Sequence, residues 1–147
     1  MKQYALSVAL VVAGSTAFAD GHGAAPSGDA ALGAEVFQRQ CVACHVVVNG
    51  VGETLAGRNA RTGPNLYGIS QRGIGGAEGF NYSDGVVALR DQGAMWNEAD
   101  FSAYVQDPTG WLREATGDRR ARARMSFQLR NEADALNVYA YLVSLEE

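Results

Sequence analysis

The sequence predicts an all-α domain with long irregular connections. Three segments, 29–40, 97–107 and 131–145, combine apolar residues at helical spacing with a residue suited to cap a helix N-terminus. Eight glycines between Gly57 and Gly85 make sustained regular structure unfavourable in the middle of the chain. No strand pattern alternates with the helices and no internal repeat is visible, so we expect one domain of three to five helices.

The first residues are typical of a cleaved export signal. Lys2 precedes a short apolar run, and the small-x-small ending Ala17-Phe18-Ala19 predicts cleavage after Ala19. We therefore expect a signal peptide at 1–19, a flexible leader at 20–28 and the folded domain at 29–147. Neither this run nor any later stretch reaches the roughly 20 apolar residues that a spanning helix needs, so no membrane span is expected.

The early part of the domain predicts a helix followed by a small β excursion. Leu32, Val36 and Phe37 recur at helical spacing over 29–40, with Ser27 or Asp29 as the N-cap. The segment 46–62 begins with a β-branched run and then Asn49-Gly50, which is a strong hairpin signal. A small β-turn insertion or an irregular surface loop is expected there.

The later part predicts three more helices. A short one is expected from Asp84 to Gln92. A second starts after the N-cap Asn97, with Asp100 in the reciprocal capping position, and Pro108 marks its stop. A loop is expected from Thr109 to Arg130. The last helix runs from Asn131 to near Leu145, with Asp134 again three residues after the cap. Its apolar residues cover much of the helix circumference, so it must be largely buried.

The charge is acidic overall but unevenly distributed. Without the signal, 11 arginines stand against 16 acidic residues, a formal balance of −5, which argues against a general nucleic-acid binder. Between Arg113 and Arg130, however, six arginines face two acidic residues, a local balance of +4. We therefore expect a polarised molecule.

The two cysteines of the chain lie in "QRQCVACHVVV", residues 38–48, as Cys41-x-x-Cys44-His45. A thioredoxin-like dithiol needs a strand before the motif and a βαβ pattern around it, and neither is present. A structural zinc site needs four ligands, but the other histidine, His22, lies in the leader. The remaining interpretation is the attachment motif of c-type haem, in which the thiols bond the porphyrin and the histidine reaches the iron.

A sixth ligand for such an iron must come from Met95, Met125 or, improbably, His22. Methionine is usually a flexible core filler, and Met95, beside Trp96 and just before a helix, fits that interpretation. Met125 lies among charged residues in "RRARARMSFQLR", where an apolar thioether needs another reason for its position. We predict that Met125 is the ligand.

From Asp29 to Leu145 the chain resembles the class I c-type cytochromes, most of all the bacterial cytochrome c2 and c-550 group. The helix before the haem motif carries Gly33 and Phe37 at the family's glycine and aromatic positions, and the last helix carries the matching Ala140-Tyr141-Leu142. The Gly-Pro-Asn-Leu stretch of the family is present as Gly63 to Leu66. The resemblance implies a cytochrome c fold wrapped around one haem c that is covalently attached through Cys41 and Cys44.

The resemblance also implies roles for residues around the haem. Pro64 would offer its carbonyl to His45, and Arg72, Tyr82 and Trp96 would approach the propionates. Tyr104 would lie near the methionine ligand, Trp111 would be an aromatic of the following loop, and Met125 with Phe127 would form the Met-x-Phe end of that loop. Intervals 46–62 and 112–124 are longer than in the shortest relatives, and Ala123 replaces a threonine that often bonds a propionate.

The function implied is single-electron transfer in the periplasm by a monomer. The expected partners are redox proteins with acidic docking patches: a membrane oxidase, a bc1-type reductase or a photosynthetic reaction centre. The lysines that relatives use for docking are absent from the mature chain, and the arginines between 113 and 130 would replace them. Two alternatives stay open: a haem enzyme or gas-binding protein with an open sixth position, and a subunit dedicated to one periplasmic dehydrogenase.

Overall fold

The computed structural model describes residues 25–146, so the predicted signal peptide and the leader up to residue 24 lie outside the described residues. The elements are α1 (Ala30–Gln40), β1 (Val47–Val48), β2 (Thr54–Ala56), α2 (Asp84–Asp91), α3 (Glu98–Gln106), α4 (Pro108–Thr116) and α5 (Glu132–Ser144). The predicted helical fold with a small β insertion is confirmed. In residues 25–146 the helices are all too short or too polar to cross a membrane.

Side-chain caps determine where four of the five helices within residues 25–146 begin, and three of these caps are predicted by the sequence. Asp29, rather than Ser27, caps α1, because its carboxylate accepts from the amides of Ala31 at 2.8 Å and Leu32 at 3.0 Å. Asn97 caps α3 by accepting from the amide of Asp100 at 2.9 Å. The Asp100 carboxylate accepts from the Asn97 side-chain amide at 2.7 Å and not from its backbone. Asn131 caps α5 by accepting from the backbone amide of Asp134.

The predicted loop from Thr109 to Arg130 is wrong in its first part, where α4 begins at Pro108. Asp107 caps this helix by accepting from the amide of Gly110 at 3.0 Å. Proline is tolerated in the first turn of a helix, because its missing N–H has no partner there and its φ is already helical. Pro108 therefore both follows the end of α3 and starts α4, which ends at Gly117 in the left-handed conformation with φ 68°.

The helices α1 and α5 pack against each other and form the main core. A Cβ on Gly33 would overlap the Asn137 carbonyl and lie 2.8 Å from the Tyr141 Cβ, so a glycine is required at this crossing. Phe37 is 1% exposed and its ring lies 5.6 Å from that of Tyr141. This contact positions the C-terminal end of α1, and therefore Cys41, against the rest of the core.

The β1–β2 hairpin is held to the following loop by one side chain. Its strands are antiparallel with an irregular register, and Asn49 forms the turn. The Asn65 side chain accepts from the Val48 amide at 3.0 Å and donates to the Val48 carbonyl at 2.8 Å. The insertion is thereby bonded to the loop that carries Pro64.

Candidate haem-binding site

A large cavity lies between the helices and the glycine-rich loop. Its empty volume is about 760 Å³, part of which is open to solvent. Apolar residues from several elements line it, namely Leu66, Ile69, Val86, Phe101, Val105, Leu129 and Val138. The predicted site residues that line it are Cys41, His45, Pro64, Arg72, Tyr82, Trp96, Tyr104 and Met125.

The Cys-x-x-Cys-His segment forms a tight turn directly after α1. The amides of Cys44 and His45 both donate to the Cys41 carbonyl, at 3.0 and 2.9 Å. The two cysteines form no disulfide. Burial, and secondly the nearby Cys44, raise the pKa of the Cys41 thiol to about 11. Redox dithiols depend on a lowered thiol pKa, so this environment does not favour the dithiol interpretation.

The zinc interpretation also lacks ligands. Within residues 25–146, histidine, cysteine and carboxylate side chains do not gather in any group of three or more that could hold a metal ion. A structural zinc site needs four such donors. His45 is therefore better explained as the ligand of a metal that a larger group brings with it.

The His45 ring is oriented by a backbone carbonyl. Its Nδ1 lies 2.9 Å from the Pro64 oxygen. A carbonyl oxygen can only accept, so Nδ1 carries the proton and Nε2 keeps a free lone pair. Burial lowers the pKa of His45, and the bond to Pro64 opposes this only in part. A neutral imidazole with a free Nε2 is the form that binds a metal ion.

Gly63 does not line the cavity but supports the imidazole from behind. A Cβ at this position would overlap the ring at Cε1 and lie 2.6 Å from Nδ1 and 2.7 Å from Nε2. The amide of Gly63 donates to the Cys44 carbonyl at 2.7 Å, which holds the glycine against the motif. The absence of a side chain at Gly63 is therefore a condition for the observed position of His45.

Replacing Gly63 with alanine should displace the His45 ring and weaken its bond to Pro64. Overpacking of this kind costs about 1–3 kcal/mol, which denaturant unfolding of the haem-loaded protein would measure. Gly50→Ala is the matched control, because a Cβ at Gly50 meets nothing within 4 Å. Equal stability of the two variants would show that the ring does not depend on Gly63.

The two methionines occupy different environments. Met125 lines the cavity and packs against the main core. Met95 does not line it: its side chain is 49% exposed, and its backbone bridges to Gly73. The prediction that Met95 fills the core is wrong. Its side chain is half exposed, and its backbone forms the bridge to Gly73.

A group of aromatic side chains forms one wall and the layer behind it. Trp96 and Tyr104 line the cavity with ring centroids 5.2 Å apart. Trp111 lies behind them, stacked on Trp96 at 5.2 Å, and its Nε1 donates to the Asp100 carboxylate at 3.1 Å. Burial raises the pKa of Tyr104 to about 12, so this residue is a neutral phenol at neutral pH.

Arg72 and Tyr82 bring polar groups to the cavity. Arg72 Nη2 donates to the Asn65 carbonyl at 2.7 Å, and the Ala77 amide donates to the Tyr82 hydroxyl at 3.2 Å. The Arg72 guanidinium is in none of the three ion pairs within residues 25–146. A cationic group at the wall of an apolar cavity suits an anionic part of a ligand.

Sequence reasoning missed Asn65 and Ser83. Asn65 bonds the hairpin on one side and accepts from Arg72 on the other, and its position between Pro64 and Leu66 was the available signal. Ser83 precedes α2 at the N-cap, yet its hydroxyl caps nothing and is buried with no partner among residues 25–146. Burying an unpaired hydroxyl costs about 1–3 kcal/mol, so a further polar group is expected beside it.

The remaining predicted residues lie at the margin of the site. Phe127 is 42% exposed and outside the cavity lining. Cys44 adjoins the cavity through Cys41 without lining it. The arginines 119, 120, 122, 124 and 130 are exposed, whereas Arg113 donates to the Ala121 carbonyl at 3.1 Å.

The donor set and the cavity fit a covalently attached haem. The ring of a haem is apolar and its propionates are anionic, which matches an apolar lining that carries Arg72 and Tyr82. Cys41 and Cys44 would hold the ring by thioether bonds, and His45 would bind the iron.

The comparisons with known proteins identify the family of the chain. The cytochrome c family model matches residues 30–146. The chain is 55% identical over 119 residues to cytochrome c2 of Rhodovulum adriaticum, which covers 81% of this chain and 94% of that one. It is 44% identical over 115 residues to cytochrome c-550 of Paracoccus versutus, covering 76% of this chain and 73% of that one.

Solved structures show the same architecture. The crystal structure of cytochrome c2 from Rhodobacter sphaeroides matches with a TM-score of 0.76 at 48% identity, covering 80% of this chain and 95% of that one. Ferric cytochrome c-550 from Paracoccus versutus matches with a TM-score of 0.74. One haem c is bound covalently through Cys41 and Cys44. The chain therefore belongs to the cytochrome c family and, within it, to the cytochrome c2 group of class I electron-carrier cytochromes.

Proposed function

We propose that this cytochrome is a one-electron carrier of the periplasm, not an enzyme, with His45 and Met125 as the axial ligands of its haem iron. The observation that supports this most is that His45 and Met125, from separate segments of the chain, line the same apolar cavity as Cys41. Met95 lies outside that cavity. When bound, the haem supplies an iron that exchanges one electron between its ferrous and ferric states.

The ligand residues would favour the reduced state. His45 is held as a neutral imidazole by Pro64, and the Met125 thioether is an uncharged, soft donor. The apolar lining makes the additional positive charge of the oxidised state costly, because burial disfavours charge. A positive reduction potential follows. With both axial positions filled by the protein, little atomic movement would accompany electron transfer.

Arg72, Tyr82 and Trp96 would orient the haem by contacts with its propionates. Arg72 is placed by Asn65, Tyr82 by the Ala77 amide, and Trp96 by stacking on Trp111. Tyr104 would lie beside Met125. Each of these side chains is held by a second group of the protein, so the haem environment would be in place before a partner docks.

A visible spectrum of the reduced and oxidised protein, with and without carbon monoxide, tests the assignment. An iron with both axial positions filled by His45 and Met125 should not respond to carbon monoxide and should show the far-red sulfur-to-ferric-iron absorption. Rapid, stoichiometric carbon monoxide binding by the unmodified protein would instead support a haem enzyme or gas-binding protein.

The exposed arginines after α4 would orient the protein toward acidic partners such as a membrane oxidase, a bc1-type reductase or a reaction centre. Arg119, Arg122 and Arg124 have no ion-pair partner within residues 25–146, and Arg120 has only a 3.9 Å contact with Asp118. Met125 directly follows this segment, so the positive charge lies next to one wall of the haem cavity. Long-range attraction there would orient the haem before contact.

Changing Arg119 with Arg120, or Arg122 with Arg124, to glutamine should slow second-order electron transfer to such a partner. Electrostatic steering raises association rates on the order of 10- to 1,000-fold, and this gain falls as salt screens the charges. The variants should therefore lose rate several-fold at low ionic strength and lose less at high ionic strength. Arg39→Gln, on α1 and paired with Glu35, is the control. A parent rate that is insensitive to salt would mean that the arginines serve solubility alone.

A further inference from the structure

Glu146, just beyond the end of α5, reaches back to a turn far away in the sequence. The Ser70 amide donates to one oxygen of the Glu146 carboxylate at 3.0 Å, and the Ser70 hydroxyl donates to the other at 2.5 Å. The two residues are 76 positions apart, and the contact is partly buried. Both carboxylate oxygens are therefore used in one tertiary contact.

This contact differs from the ion pairs on the surface. The ion pairs within residues 25–146 join exposed side chains, for example Arg39 and Glu35 at 60% and 67% exposure. Exposed pairs of this kind contribute little, because solvent screens them and long side chains lose freedom. Hydrogen bonds to a carboxylate in a partly buried place are shorter and stronger. The Glu146 contact is thus the better candidate for a functional constraint.

Ser70 belongs to the segment that forms one wall of the haem cavity. Ile69 and Arg72 line the cavity on either side of it. The amide of Arg72 donates to the Gly68 carbonyl at 2.8 Å, so Ser70 and Arg72 share one turn. A contact that holds Ser70 therefore also restricts where the Arg72 guanidinium can lie.

The charge of Glu146 also acts on Arg72. Burial lowers the pKa of Arg72, and the negative charge of the Glu146 carboxylate opposes this. A half-buried guanidinium without a carboxylate in direct contact is costly, and a nearby negative charge reduces that cost. Glu146 is in a position to supply it.

We propose that Glu146 is a positioning residue of the haem site, which holds the Ser70–Arg72 turn and balances the Arg72 charge. The proposal rests on the proposed electron-carrier function. Glu146 thereby links the C-terminal end of α5 to the cavity wall. Removing its negative charge makes the surroundings of the haem more positive, which disfavours the ferric state and raises the reduction potential.

The test is Glu146→Gln in the haem-loaded protein, compared with Glu35→Gln, which removes the same charge from the exposed side of α1. The midpoint potential of Glu146→Gln should rise by at least about 18 mV, which is a twofold change in the ferric-to-ferrous ratio at about 59 mV per tenfold. Glu35→Gln should shift it by less than half of that.

A double-mutant cycle in denaturant unfolding tests the contact itself. Ser70→Ala removes only the hydroxyl that donates to Glu146 and keeps the Glu146 charge. Its own loss of stability therefore tests the contact even if Glu146→Gln folds poorly. If the contact holds the turn, the effects of Ser70→Ala and Glu146→Gln on unfolding should sum to more than that of the double variant. Additive effects, or equal potential shifts in Glu146→Gln and Glu35→Gln, would overturn the proposal. Carbon monoxide binding by the unmodified protein would refute the assignment of Met125 as a ligand. It would not affect the comparison of Glu146→Gln with Glu35→Gln.

Discussion

Replacing Met125 with alanine is expected to open the sixth position of the haem iron. Alanine has no donor atom, and Met95, the other methionine among residues 25–146, lies outside the cavity. The far-red sulfur-to-ferric-iron absorption should disappear completely, carbon monoxide binding should rise from none to stoichiometric, and the reduction potential should fall. Visible spectroscopy of the oxidised and reduced variant measures the far-red absorption and carbon monoxide binding. A redox titration measures the reduction potential.

Met95→Ala is the control for that substitution. Its side chain is half exposed, and the bridge to Gly73 uses only its backbone, which alanine keeps. The far-red absorption should therefore persist with unchanged intensity. The axial assignment fails if Met95→Ala removes the absorption while Met125→Ala leaves it in place.

Replacing Cys41 or Cys44 with alanine is expected to prevent normal attachment through two thioether bonds, and the unattached chain should fold poorly. The reason is that the core is built around the haem, because both helices and loops contribute apolar residues to the cavity that would hold it. Ordering roughly a hundred residues costs on the order of 100 kcal/mol or more, whereas net stabilities are only about 5–15 kcal/mol. Losing the apolar contacts made by the ring removes favourable burial from this narrow margin.

Mass spectrometry of the purified variants and far-ultraviolet circular dichroism measure these two effects. The double variant should carry no covalent haem and lose most of its helical signal, and the single variants should carry at most one thioether bond. Ser126→Ala, an exposed change next to Met125, should retain both properties. A highly helical apoprotein would contradict the expectation.

The local features of this protein could be predicted from its sequence. Helices α1, α3 and α5 begin where Asp29, Asn97 and Asn131 predict, because a capping side chain bonds amides only two or three residues away. Local sequence also predicts the hairpin at Asn49-Gly50 and the haem attachment motif of Cys41, Cys44 and His45. Each of these signals acts within a few residues, so no knowledge of the rest of the fold was needed.

Features that depend on contacts between distant segments could not be predicted in this way. Pro108 is compatible both with ending one helix and with starting another, and packing against α2 and α3 favoured α4. Burial separated Met125 from Met95, and left Phe127 outside the cavity lining. The contact of Glu146 with Ser70 has no signal in either local sequence. Burial and long-range hydrogen bonds arise only when separate segments are brought together, and short-range patterns carry no information about which segments those are.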